Sequence, residues 1–379
     1  MPRGLPRATT LESLRLAAAL VPPGAPHVTP GRDPLRARPL LADLESRYGA
    51  RPVLVRGPRG PALLVLSKRD ALRVLEEERS DYAPALQERQ LNLPMDVLRP
   101  AFIEIAREEA AELTDGVVDY QRLDARWQRV ARRCVYGAGA AGDEELTSLL
   151  ARLGRRRAGR RQEILSGRYD TRILDHLRRA EPGSLAGLIA ETSGDQTESR
   201  RLMQAAFWMM GLGVTATGLM QTLALLAAHP GHRKAARADP EHLRACLREA
   251  LRLWPPVPAL SRVTAADTEW YGTTLPAGTT VLVPLAAHQR SARLPYANTF
   301  APEIWLDGTA AGEWWARPGC DGVHLTLAVG TAFLGGILRT ARPKPVGRLL
   351  SPHRPLPYTL NVARLRVTMR PARRKPAHS

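Results

Sequence analysis

The sequence predicts a single domain that is mainly α-helical with a small β region, and three observations support this. Helix-period patterns recur along most of the chain. Clear β-rich runs bounded by Gly and Pro are concentrated at 52–66 and 257–285. The 379 residues show no repeat or linker, and 44% hydrophobic with 24% charged residues is typical of a globular protein with a sizeable core.

The expected organisation is a Pro-rich amino-terminal lead over 1–44, the domain over 45–370 and a basic tail over 371–379. In the helix over 121–136 one face is apolar and is formed by Leu123, Trp127, Val130, Cys134 and Val135. The expected elements are a hairpin at 52–66, a helix opened by Ser67 and running through Leu75, helices at 95–113, 121–136, between 145 and 180, and at 241–253, strands at 257–263, 268–271 and 280–285, a helix from just after Cys320 to Arg339, and a β-ribbon at 356–370.

The chain is strongly basic, with 55 Lys and Arg against 37 Asp and Glu and a formal net charge of +18. An acidic protein partner and a coding bias toward Arg both explain this charge, since only four of the basic residues are Lys. Nucleic-acid binding is not expected, because no basic run is interleaved with aromatic residues. Three isolated cysteines without a CxxC pair indicate a reducing compartment, so we expect a cytoplasmic protein.

The stretch Leu202–Ala228 contains 27 residues without an ionisable side chain. By length it could span a bilayer. Gln, Thr and Gly residues interrupt it, however, and Arg-rich segments flank it on both sides. We therefore expect no membrane span but a central helix that is buried on all sides of a large domain.

Cys320 lies in a Gly/Pro turn, residues 317–322, directly before an apolar helix. The positive end of a helix dipole favours thiolate over thiol, and the glycines on both sides let a flat ligand approach the backbone. A thiolate of this kind can ligate haem iron. A cysteine in a Gly/Pro turn, taken alone, more often has a purely structural role.

Other residues stand in a suggestive order before this turn. Glu249 and Arg252 lie three apart on one helix face, Arg262 follows in a strand, and 298–307 leads into the turn. With these motifs the chain resembles the cytochrome P-450 superfamily of haem-thiolate monooxygenases over about residues 45–370, as a short and partly divergent bacterial-type member. The stretch that ends at His229-Pro230 is similar to the family's long distal helix over the haem.

The resemblance implies haem b (iron protoporphyrin IX) as cofactor, with Cys320 as the axial ligand of its iron. It implies that Glu249 and Arg252 form a structural pair and that Arg262 binds a haem propionate. The implied activity is insertion of oxygen from dioxygen into a small apolar organic substrate. Electrons would come from a ferredoxin and its reductase, with the ferredoxin docked on a basic face near Arg317. The cofactor-binding residues implied are Arg262, Arg317, Gly211 and Gly322.

The Cys320 loop and the segment before it depart from the family pattern. Glu313 and Ala316 stand where the family has Phe and Gly, and the loop is shortened. Ile304 stands where a third member of the Glu–Arg arrangement, an Arg, is usual.

The distal helix departs as well, because the family's acid–alcohol pair falls on Gly213 and Val214. Thr215, one place later, is then the expected catalytic hydroxyl, provided that the helix bulges there. Two alternatives stay open. The chain could be a haem-thiolate protein without dioxygen activation, which uses peroxide, rearranges a substrate or only binds a ligand. It could also be a basic interaction protein without haem.

Overall fold

The structure is a computed structural model that describes residues 4–20, 38–57, 60–76, 82–84, 93–153, 159–192, 197–257, 259–310, 321–347 and 350–371. Arg317 and Cys320, with the loop positions Glu313 and Ala316, lie outside these residues. The helices are α1 (Thr10–Leu20), α2 (Arg38–Tyr48), α3 (Lys68–Glu76), α4 (Arg99–Ala110), α5 (Tyr120–Tyr136), α6 (Glu144–Leu153), α7 (Arg160–Arg179), α8 (Leu185–Thr192), α9 (Glu198–Ala228), α10 (Pro230–Ala238), α11 (Pro240–Leu253), α12 (Leu285–Gln289) and α13 (Asp321–Thr340).

The strands form three small sheets. They are β1 (Val53–Gly57), β2 (Gly60–Leu64), β3 (Tyr82–Pro84), β4 (Val117–Asp119), β5 (Ala259–Thr264), β6 (Thr268–Trp270), β7 (Thr273–Leu275), β8 (Thr280–Pro284), β9 (Ala341–Pro345) and β10 (Arg366–Pro371). The largest sheet has the order β1-β2-β8-β5-β3, with β2 parallel to β8 and its other pairs antiparallel. A second sheet has the order β4-β10-β9, and β6 pairs with β7. The mainly α prediction with a small β region is therefore confirmed.

Helix α5 shows why the helix-period patterns predict structure well. The Asp119 carboxylate caps it by accepting a hydrogen bond from the Arg122 backbone N–H at 2.9 Å. Each of the five side chains on its predicted apolar face is at most 1% exposed. Trp127 Nε1 donates to the carbonyl oxygen of Leu212 at 2.6 Å. The indole thus joins α5 to the middle of α9.

Helix α9 is the central helix of the fold and packs against α5, α11 and α13. All residues over 215–227 are buried, as the uncharged stretch Leu202–Ala228 predicts, but its first half is only partly so, with Met203 49% exposed. Two described helices, Glu198–Ala228 and Gly322–Thr340, are long and apolar enough to cross a membrane. Of their most apolar windows, 83% and 61% are buried inside the fold.

The amino-terminal helices cover the largest sheet. Leucines of α1 and α2 share a buried cluster with β1, namely Leu16, Leu20, Leu41, Leu44, Val53 and Val55. The predicted boundary after residue 44 falls within α2, and the division of the chain at that point stays a prediction.

Helix α3 begins where the sequence predicts. Ser67 Oγ accepts a hydrogen bond from the Asp70 backbone N–H at 3.0 Å, which is the expected cap. The Asp70 carboxylate accepts a hydrogen bond from the Tyr271 hydroxyl at 3.0 Å. This residue therefore links α3 to the turn between β6 and β7.

The predicted β-ribbon over 356–370 is wrong in extent. Within it only 366–370 are strand, and Val362–Arg364 form a 3-10 turn. Residues 356–358 instead offer backbone carbonyls to a buried arginine, Arg290. These carbonyl oxygens therefore accept from side chains, and the Leu356 backbone N–H donates to the carbonyl oxygen of Asn298, so these hydrogen bonds do not join a neighbouring strand.

Candidate functional site

Helix α11 carries the Glu249 and Arg252 pair. Asp239 caps the helix by accepting hydrogen bonds from the backbone N–H groups of Glu241 and His242, at 2.9 and 3.3 Å. Three residues of spacing place the two charged side chains on one face. Glu249 is 0% and Arg252 4% exposed.

The pair is bidentate, with Arg252 Nε to Glu249 Oε2 and Arg252 Nη2 to Glu249 Oε1 both at 2.7 Å. Such fork-to-fork pairs are the strong form of a charge-assisted hydrogen bond. Arg252 also donates to the carbonyl oxygens of Gln289, Tyr296 and Thr299, at 2.7, 3.0 and 3.2 Å. The pair therefore ties α11 to the irregular segment after α12.

A tryptophan completes the hydrogen bonding of the Glu249 carboxylate. The 3-10 turn Pro302–Trp305 brings the indole Nε1 of Trp305 to 3.0 Å from Glu249 Oε2. The backbone N–H of Ala301 lies 3.0 Å from Oε1. The absent arginine at Ile304 is thus replaced by an indole donor one residue later. In the sequence, the signal for this donor is the Trp that directly follows Ile304.

Arg290 is the second residue that the sequence analysis missed. It is 1% exposed, and its guanidinium donates hydrogen bonds to acceptors from several distant segments. These are the carbonyl oxygens of Leu253, Ala297, Leu356, Pro357 and Tyr358 at 3.0–3.3 Å, and Asn298 Oδ1 at 2.7 Å. Its guanidinium also lies 4.5 Å from the ring centroid of Tyr358. Arg290 therefore joins the end of α11 to the carboxyl-terminal segment.

One face of α9 differs from the rest of the central helix. Phe207, Met210, Gly211 and Val214 are partly exposed, while most of their neighbours are buried. A Cβ built on Gly211 would meet nothing within 4 Å. Open space therefore adjoins the middle of α9, and the side chains along this face are apolar.

Thr215 lies at the edge of this open face. It is 3% exposed, and its hydroxyl donates to the carbonyl oxygen of Gly211 at 3.2 Å. A Cβ on Gly330 of α13 would lie 4.0 Å from its methyl group. The helix is α-helical throughout, so the expected bulge is not there. The catalytic role of Thr215 stays a prediction.

The other candidate cofactor-binding residues lie on two elements. Arg262, in β5, is 8% exposed, and its Nη1 donates to the carbonyl oxygen of Ser261 at 3.0 Å. Gly322 is the second residue of α13. Helix α13 begins at Asp321, the residue that follows Cys320 in the sequence. His288 is close in sequence to Arg290. Its Nε2 lies 3.2 Å from the carbonyl oxygen of Val65. Desolvation by burial lowers the pKa of this imidazole to about 4.

Comparisons with known proteins agree with this arrangement. The model of the cytochrome P450 family matches residues 160–314. The retinoic-acid-bound cyanobacterial CYP120A1 shares the fold with a TM-score of 0.69, at 14% identity over 87% of this chain and 94% of that one. A zebrafish cytochrome P450 with abiraterone gives 0.68, at 20% identity over 88% and 99%. Residues 160–314 are similar to the cytochrome P450 family, and the chain has the fold of these solved cytochrome P450 structures.

Relatives from the P450 superfamily include named enzymes. The chain is 35% identical over 122 residues to cyclooctat-9-en-7-ol 5-monooxygenase of Streptomyces melanosporofaciens, and this match covers 27% of each protein. It is 30% identical over 209 residues to the vitamin D(3) 25-hydroxylase of Pseudonocardia autotrophica, which is 52% of each. The chain thus spans about half or less of the length of these relatives.

The P450 family implies a haem-iron cofactor, and the described residues fit one. The open space beside Gly211 leaves room for a flat ligand next to α9. A buried cation at Arg262 can neutralise a cofactor carboxylate. Among the described residues no group of three or more His, Cys, Asp or Glu could hold a metal ion. Cys320, the iron ligand that the resemblance implies, lies outside the described residues.

Proposed function

We propose that the protein is a haem b monooxygenase that inserts one atom of dioxygen into a small apolar organic substrate. The observation that carries this proposal is the open apolar face of α9, within a P450 fold whose α13 begins directly after Cys320. The haem iron, when bound, supplies the dioxygen and oxygen-transfer chemistry. Electrons come from a ferredoxin and its reductase on the basic face near Arg317, in the cytoplasm.

The residues of this chain have distinct tasks in the proposal. The Cys320 thiolate holds the iron and is stabilised by the amino-terminal dipole of α13. Arg262, Arg317 and Gly322 contact the cofactor. The side chains of Phe207, Met210 and Val214 exclude water from the open face and contact the apolar substrate, since burial of apolar area favours such a ligand.

The test is the absorbance spectrum of the haem-supplied protein after reduction with dithionite and exposure to carbon monoxide. We expect the strongly red-shifted Soret band of a thiolate–iron–carbonyl complex. Cys320→Ser removes this band because the hydroxyl is a much weaker ligand, and Cys134→Ala, at a buried core thiol, retains it. The proposal fails if the protein binds no haem or if Cys320→Ser keeps the band.

A second candidate function is a haem-thiolate reaction without proton delivery from α9. The observation that favours it is that Gly213 and Val214 have no proton to give, while the Thr215 hydroxyl already donates to Gly211. Peroxide as oxidant, or a rearrangement, would need no such relay.

Thr215→Val separates the two functions. If Thr215 Oγ1 delivers protons, the ratio of product formed to NADH consumed falls by about a hundredfold, the lower range for a lost general acid. The measurement uses an apolar ligand that shifts the Soret band. An unchanged ratio, with NADH still consumed, removes Thr215 from the relay and favours the second function.

A further inference from the structure

Four cationic side chains converge at the carboxyl-terminal end of α13. Arg233, Lys234 and Arg237 of α10 and Arg342 of β9 line a shallow cavity of about 270 Å³. Its remaining lining is apolar and includes Leu338. We call this the α10–β9 pocket. The 20 residues of α13 separate it from the amino-terminal end of this helix by about 30 Å, at 1.5 Å per residue.

Two of these cations are held in place by helix ends. Arg233 Nη1 donates to the carbonyl oxygens of Leu226 and Ala227, in the last turn of α9, at 3.2 and 3.1 Å. Arg237 Nη2 donates to the carbonyl oxygen of Arg339, in the last turn of α13, at 3.0 Å. Both guanidinium groups are therefore held at helix ends, and their carbonyl partners provide no counter-charge.

Within the described part of the chain, the charges in the α10–β9 pocket have no carboxylate partner. Among the residues that the structure describes, no ion pair involves any of the four cations, although Arg side chains elsewhere form many. Burial and the charge of Arg342 lower the pKa of Arg233. In the antiparallel pairing of β9 with β10, Arg342 stands directly opposite Arg370, and both residues are exposed. Like charges in such positions repel each other.

We propose that the α10–β9 pocket binds a small phosphorylated anion, such as a phosphate or diphosphate ester with an apolar body. Guanidinium groups present paired N–H donors that match phosphate oxygens, and an ammonium group adds a point charge. The apolar floor with Leu338 suits the carbon body of such an ester. No aromatic side chain is among the described lining residues, so a base-stacking nucleic-acid site is disfavoured. The site is separate from the haem reaction.

The probe is inorganic pyrophosphate, titrated into the full-length haem-loaded protein in a calorimeter at constant ionic strength. Saturable one-to-one binding is expected. The double variant Lys234→Gln/Arg342→Gln weakens it by about tenfold or more, because two charge-assisted contacts are lost. Arg233 and Arg237 are left unchanged since they cap helices. The control, Lys68→Gln/Arg354→Gln, removes the same charge from two exposed side chains and leaves binding unchanged.

Three outcomes would overturn the proposal. Pyrophosphate does not bind saturably, or both double variants weaken binding equally, which is general charge attraction. In the third outcome, either a short DNA duplex or vesicles that contain phosphatidic acid bind through Lys234 and Arg342, while pyrophosphate does not bind. The carbon monoxide spectrum is recorded for each variant. Because the pocket lies about 30 Å from the amino-terminal end of α13, an unchanged spectrum keeps a failure here distinct from a failure of the proposed function.

Discussion

Glu249→Gln is expected to lower the free energy of unfolding by about 3–5 kcal/mol, the cost of breaking a buried ion pair by removing one charge. Four N–H donors point at the Glu249 carboxylate, two of them from Arg252. The amide nitrogen of Gln donates and cannot accept, so at least one donor meets another donor. Arg252, 4% exposed, would then be a buried cation without a counter-charge.

The measurement is urea unfolding of the haem-free and haem-loaded protein, with the midpoint compared at constant slope. Glu241→Gln is the matched control in the same helix, because its side chain is 70% exposed and its contact with Arg244 is 3.9 Å long. Its effect should stay within about 0.5 kcal/mol. Equal midpoints for Glu249→Gln and Glu241→Gln would show that the buried pair does not stabilise the fold.

Trp305→Phe gives a milder variant in case Glu249→Gln does not fold. It keeps the apolar ring and removes only the indole N–H that donates to Glu249 Oε2. One lost partner of a buried charged acceptor costs about 1–3 kcal/mol. A Trp305→Phe midpoint equal to that of the unchanged protein would mean that Trp305 does not replace the third arginine of the family.

The helices could be predicted because their signal is local. In α5 the apolar residues recur at the helical period, and each of them is buried. The Glu249 and Arg252 pair follows from spacing alone, since residues three apart share a helix face. Capping at Ser67 is local as well.

The rest of the site depends on contacts between distant segments. Trp305 meets Glu249 across 56 positions of the chain, and a Trp is not marked by charge as a partner of a carboxylate. Arg290 is one of 55 basic residues, and its acceptors are backbone carbonyls that no side-chain pattern reveals. Strand β9, Ala341–Pro345, contains Arg, Lys and two Pro. It has strand geometry because it forms the edge of a sheet beside β10, where Pro is tolerated.

Arg290→Met is expected to cost about 3 kcal/mol or more, since it leaves several buried carbonyl oxygens without a donor and each costs about 1–3 kcal/mol before relaxation. The affected acceptors belong to the end of α11 and to residues 356–358. The side chain of Met fills a similar volume, so the loss reports on hydrogen bonding more than on packing. We expect the segment 350–361 to open more often, which chymotrypsin would detect as faster cleavage after Tyr358.

Arg290→Lys tests whether charge or geometry is decisive. An ammonium keeps the positive charge but has three donors, and it lacks the planar fork that reaches acceptors on several segments at once. It should recover only part of the urea midpoint. The control is Arg293→Met, at a side chain 75% exposed whose ion pair with Glu45 is 3.3 Å long, a surface contact worth about 0–1 kcal/mol. Full recovery by Lys would assign the stabilisation to charge, and equal effects of Arg290→Met and Arg293→Met would remove Arg290 from the stability of this fold.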